Sequence, residues 1–104
     1  MEQSWHARKL LTIIAEAALE RALIAEVREA GGGGYTISEV RGGGGGGGER
    51  AGDWEGDRSI EFRVICDEAL AGRIADRVMA RYANHYSLVL YLTEVGVRRV
   101  ERFP

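Results

Sequence analysis

Seven consecutive glycines, Gly42 to Gly48, constrain this chain more than any other feature. A run without side chains has nothing to pack and the largest backbone entropy to lose, so it cannot build a helix or a strand interior. The polar stretch Glu49 to Arg58 follows directly and makes a connection of seventeen residues, 42–58. That is well above hairpin length, and connections this long are commonly functional or disordered. Everything that folds must therefore lie on either side of it.

Each side carries the same order of patterns. Lys9 to Ile14 is a mostly continuous apolar run, as a central strand would be. Ala17 to Ala30 places Leu19, Leu23 and Val27 four apart with Ile24 beside them, which predicts an amphipathic helix. Tyr35 to Val40 alternates, with Tyr35, Ile37 and Glu39 on one face and Thr36, Ser38 and Val40 on the other. Beyond the glycines, Ile60, Phe62 and Val64 alternate inward along a strand that runs on to Cys66. Asp67 to Tyr82 repeats the helical spacing with Leu70, Ile74, Val78 and Tyr82. Asp67 fits a helix cap, and Glu68 opposes the positive end of the helix dipole. Arg73, Arg77 and Arg81 lie toward the other end, where positive charge is favoured. Leu88 to Thr93 is a fourth strand.

Two strand–helix–strand units in tandem predict an α+β ferredoxin-like sandwich, with a four-stranded antiparallel sheet and both helices on one face. At 104 residues the chain is one domain, with no room for a second core. An uncovered sheet face in so small a domain predicts self-association. No apolar run approaches the ~20 residues of a membrane helix, and Met1 to His6 shows no basic cluster ahead of a long apolar stretch. The net charge of −2 excludes a generic polyanion binder, so no nucleic-acid partner is expected. A single cysteine, Cys66, cannot close an internal disulfide, which favours a reducing cytoplasm, and the thiol itself reads as a small buried residue. Thirteen arginines against one lysine are as compatible with base composition of the genome as with function.

Few side chains have spacings that carry chemistry. His6 and His85 have no i, i+4 partner, so no metal is expected. No Ser/His/Asp or Cys/His set has an ordered spacing, so no catalytic residue is assigned. Gly31 to Gly34 reads as a helix end and turn, or as bare backbone that lets a ligand approach beside Thr36. The long glycine run opens no helix and lacks Gly-Lys-Ser or Gly-Lys-Thr, which excludes a Walker-type phosphate loop. Consecutive glycine amides can still form an anion nest, and Arg41 and Arg58 flank the connection at its two roots. Trp54, near the tip, is poorly placed for the domain's own core and suits docking on a partner. Asn84 to Ser87 reads as a polar turn. The tail, about 96–104, carries Arg98, Arg99 and Arg102 as either a solvated basic end or a phosphate clamp.

Over about residues 8 to 100 the chain resembles the PII signalling superfamily. Gly34-Tyr35-Thr36-Ile37-Ser38-Glu39-Val40-Arg41-Gly42 is similar to the family stretch Gly-Met-Thr-Val-x-Glu-Val-Lys-Gly that enters its mobile arm, the T-loop. Val64-Ile65-Cys66-Asp67-Glu68 is similar to the family's third strand running into a capped second helix. The family's Gly-Asp-Gly-Lys turn before the fourth strand is missing, and 42–58 contains neither its modified tyrosine nor its metal-binding glutamine. Those departures argue against 2-oxoglutarate sensing. The short arm, Gly-Tyr-Thr and Arg73-Ile74-Ala75-Asp76-Arg77-Val78 instead resemble the PII-like branch linked to inorganic carbon, which includes the SbtB proteins and the carboxysome-associated PII-like protein.

This resemblance implies a cytoplasmic homotrimer that binds adenine nucleotide between subunits and uses no cofactor. It implies that Thr36 touches the adenine, that Ile14 and Val64 give apolar and backbone contacts around it, and that Gly42, Gly43 and Gly44 approach the phosphates. Arg98 is expected to reach a neighbour's nucleotide, with Arg99 or Arg102 substituting where Val100 stands. Loss of the lysine-bearing turn favours ADP or AMP over ATP. Bicarbonate is the implied second ligand, with Arg41 and Arg58 as candidates to hold it, and a bicarbonate transporter or carbon-fixing system is the implied partner. Two other readings remain open from the residues alone: a slow nucleotide hydrolase using Glu49, Asp53 or Asp57, and a nucleotide-free trimeric module like the CutA proteins.

Overall fold

The computed structural model describes residues 4–43 and 58–104. Strand β1 spans His6–Glu16, and one 3-10 turn, Ala17–Leu19, leads into helix α1, Glu20–Ala30. Strands β2, Thr36–Val40, and β3, Ser59–Cys66, bracket the long connection. Helix α2 is Glu68–Tyr82, strand β4 is Leu88–Val97, and a second 3-10 turn covers Val100–Arg102. The sheet order is β2-β3-β1-β4 with every neighbouring pair antiparallel. This is the expected ferredoxin-like sandwich. The four strands and two helices lie where the patterns put them; β1 and β4 run longer, and the first helical turn is 3-10. The connection from 44 to 57, including Gly44 and Trp54, lies outside the described residues.

Register explains which side of each strand is core. Ile13 pairs with Phe62, Leu11 with Val64 and Ala15 with Ile60, and all six are buried toward the helices. They meet Leu19, Leu23 and Val27 from the first helical segment and Leu70, Ile74 and Val78 from α2. Cys66 is buried at the edge of this cluster, where burial, helped by the Asp67 carboxylate, pushes its thiol up to about 11.

Local chemistry ends the elements where the residues predict. Asp67 Oδ1 accepts from the Leu70 amide at 2.8 Å and caps α2. Gly31 closes α1 with φ of 101°, a left-handed conformation that a side chain would strain. Gly32 then passes so close to the helix that a Cβ there would lie 2.6 Å from Val27 Cγ1. Gly31 and Gly32 thus make the helix end and turn expected of the first glycine run.

The two helices are joined by a polar clamp that the sequence pattern does not announce. Glu26 is 2% exposed, and its carboxylate accepts from Arg77 Nε at 2.8 Å, Arg81 Nη1 at 3.1 Å and the Tyr82 hydroxyl at 3.1 Å. Arg77 also reaches Glu29. Burial and the bond to Glu26 raise the Tyr82 phenol above its ordinary range.

The helices leave two apolar surfaces open. Between α2 and β4 lies a shallow groove of about 480 Å³ floored by Leu11 and walled by Ala71, Ala75, Leu90 and Leu92. On the far side of the sheet, Val89 and Tyr91 of the edge strand β4 are 51% and 46% exposed.

Candidate functional site

The open sheet face is not uniformly apolar. Reading across the strands, one row is Thr36, Arg63, Thr12 and Tyr91, and the next toward the end of the sheet is Ile65, Leu10 and Thr93. Thr36, Arg63, Leu10 and Ile65 from these two rows line a cleft of about 370 Å³. Gly34 and Tyr35 form its rim where the chain enters β2, and Phe103 closes it from the tail. Gly34 matters here because nothing projects from its backbone into the cleft. Tyr35 is fixed from below by stacking on Phe62, with ring centroids 5.3 Å apart and planes at 15°.

The tail folds back as a strap, while its arginines Arg98, Arg99 and Arg102 stay exposed. Arg8 Nε donates to the Phe103 carbonyl at 2.7 Å, and the Asp67 amide donates to the Pro104 carbonyl at 3.0 Å. Those two bonds set Phe103 beside Leu10 and Ile65 at the cleft. Arg98 lies over the ring of Trp5, with its guanidinium carbon 4.4 Å from the centroid, a cation–π contact. Arg99 starts the terminal 3-10 turn with φ of 55° and is exposed.

The sequence-derived site residues divide into those the cleft gathers and those it does not. Thr36 lines it. Ile14 lies on the same open face, one row further toward the arm, between Glu61 and Val89. Val64 points the other way: its side chain is 1% exposed in the helix-covered core, so only its backbone is near the cleft, and Ile65 supplies the apolar wall. The physical reason is strand alternation, since Ile60, Phe62 and Val64 cannot face inward without turning Arg63 and Ile65 outward. Gly42 and Gly43 are exposed at the arm root, as is Arg41. Arg58 stands beside Glu39 at 3.7 Å, while its carbonyl accepts from the Ala17 amide at 2.7 Å. Gly44 and Trp54 fall outside the described residues. No cluster of three metal-ligating side chains occurs among the described residues.

Leu10, Arg63, Ile65 and Phe103 are lining residues that sequence reasoning missed. Arg63 Nη2 donates to Ser38 Oγ at 3.3 Å, and its buried Nε has no hydrogen-bond partner. A signal existed: Thr12 interrupts the apolar run of β1, is 1% exposed, and sits opposite Arg63. A polar residue in a central strand marks the row where the sheet face changes character.

The nitrogen regulatory protein P-II family matches residues 8–102. The chain belongs to that family, whose description is that of a regulatory protein. Among solved structures, a protein of Thermus thermophilus described as PII-like signaling is 39% identical, covering 98% of this chain and 100% of that one with a TM-score of 0.81. CPII from Thiomonas intermedia, bound to ADP and bicarbonate, is 26% identical, covering 97% and 98% with a TM-score of 0.82. The same protein bound to ADP, AMP and acetate gives 25% identity, the same coverage and a TM-score of 0.82. No curated protein matches the chain.

Proposed function

We propose that this chain is a PII-like sensor that binds an adenine nucleotide, ADP or AMP, together with bicarbonate, and transmits their presence through the connection 42–58. The observation that carries the reading is the cleft beside Thr36. It has a glycine rim, an apolar wall of Leu10 and Ile65, and a volume of about 370 Å³, within the range of small-ligand pockets. It shares strand β2 with the root of the long connection, in a chain whose relative CPII holds ADP and bicarbonate.

In this reading the working unit is a cytoplasmic homotrimer whose subunits bury the open sheet face against one another. Thr36 and Ile14 contact the base, with the backbone of Val64. Gly42, Gly43 and Gly44 approach the phosphates, and Arg98 and Arg99 meet the nucleotide of a neighbouring subunit. Arg41 and Arg58 add positive charge at the arm root, where the anionic ligands gather. The bound nucleotide lowers the entropic cost of ordering the arm, so the two ligands bind cooperatively. Trp54 then meets, or is withdrawn from, a partner in carbon uptake or fixation, such as a bicarbonate transporter. The protein regulates and performs no reaction of its own.

Calorimetric titration with ADP, in buffer with and without bicarbonate, tests the ligand claim, and light scattering tests the assembly. Saturable ADP binding to a trimer, tightened by bicarbonate, is the expected result. A monomer, or a trimer that ignores AMP, ADP and ATP alike, would overturn it.

A further inference from the structure

We infer that Arg63 is the residue that holds the oxyanion, gripping it side-on within the cleft; this rests on the ligand reading above and names the group responsible. Among the described residues lining the cleft, Arg63 alone is charged. Its Nε–H is buried without an acceptor. On the same edge of the guanidinium, Nη2 is held only by a long 3.3 Å bond to Ser38 Oγ. An arginine in this state offers two parallel donors on one edge, in a cleft that it lines together with the apolar side chains of Leu10 and Ile65. That geometry matches two oxygens of a planar oxyanion such as bicarbonate or a carboxylate. The hydroxyl residue Thr12 stands beside it in the same row and can serve a remaining lone pair, leaving Thr36 to the base.

Of the other candidate arginines, Arg41 does not line the cleft and two are engaged elsewhere. Arg58 is beside Glu39, and Arg98 lies on Trp5. Adenine is the poorer complement to two parallel donors, because no edge of the ring presents two adjacent acceptors: N7 and N1 each stand beside the N6 amino donor.

The test compares the intact chain with Arg63→Gln, Arg63→Lys and, as a control for lost surface charge, Arg21→Gln on the exposed side of α1. ADP is titrated with and without bicarbonate, and assembly and melting temperature are followed in parallel. In the wild type, bicarbonate should tighten ADP binding by about tenfold, inside the roughly 5–150-fold usual for coupled sites. Arg63→Gln should lose that tightening while binding ADP alone within about twofold of wild type. Arg63→Lys, charged but without the planar fork, should keep only about threefold. Arg21→Gln should match wild type.

The assignment is wrong if Arg63→Gln keeps the full tightening, or if Arg58→Gln alone abolishes it. It is equally wrong if Arg63→Gln loses ADP in both buffers with assembly intact, since Arg63 then reads the nucleotide. Dissociation of Arg63→Gln into smaller species would show that Arg63 meets a partner subunit's carboxylate instead. A wild type that binds no ADP would defeat the functional reading. Arg63 then still has its own readout: the Nε resonance should shift saturably with bicarbonate alone, and an unmoved resonance overturns the inference.

Discussion

The two faces of the sheet are made by the same strands and obey opposite rules. On the helix-covered face, Leu11, Ile13, Phe62 and Val64 fill the space between strand and helix. On the open face, apolar residues alternate with Thr12, Thr36, Glu61 and Arg63, and one buried donor has no partner. A saturated surface holds a fold together; an unsaturated one has binding capacity left over. One-residue alternation along β3 is all that separates the two.

Substitutions can break or sharpen that contrast. The largest effect belongs to the covered face: Phe62→Ala should cost about 3–5 kcal/mol in chemical denaturation, because it removes the largest fully buried side chain among the described residues and leaves a cavity. A substantial effect on the same face comes from pH. Cys66 holds its proton up to about 11 when folded, against an ordinary value of 9.0. Its contribution to stability is therefore complete below pH 9 and is lost as pH rises from 9 toward 11. Cys66→Ser should flatten that part of the stability profile, and the native thiol should resist alkylation until the protein is unfolded. Glu26→Ala, at the helix clamp, should cost about 2 kcal/mol, since it removes charged hydrogen bonds while Arg77 keeps Glu29. It should also bring the Tyr82 titration back down, which ultraviolet absorbance will read. Asp67→Ala should cost about 1 kcal/mol through the lost cap. Thr36→Ala, on the open face, should change stability by less than about 0.5 kcal/mol. Its effect should appear as weaker ADP binding in calorimetry. A Thr36→Ala protein as destabilised as Asp67→Ala would erase the distinction between the faces.

Most of the scaffold was legible because its signals are local. The Asp67 cap, the Gly31 helix end and the inward set Ile60, Phe62 and Val64 each depend on residues within a turn or a strand of one another. The clamp was not legible. Arg77 and Arg81 read as helix-end charge, and only folding brings them to Glu26, some fifty residues earlier. The strap was hidden for the same reason, since Arg8 and Phe103 are neighbours only through tertiary structure. The cleft is half legible: the Gly-Tyr-Thr entry to β2 points to Thr36, which lines it, whereas alternation along β3 turns the Val64 side chain into the core and brings Ile65 and Arg63 to the cleft. Residue type picks out the strand; register decides the face.

The exposed strand β4 carries a hazard for the newly synthesised chain. It is ten residues long, pairs with β1 on one side only, and displays Val89, Tyr91 and Leu92 to water. Such a free border is a template for any extended polypeptide that drifts past. Correct docking must outpace wrong docking, so refolding yield should fall when foreign strand-forming segments are crowded in.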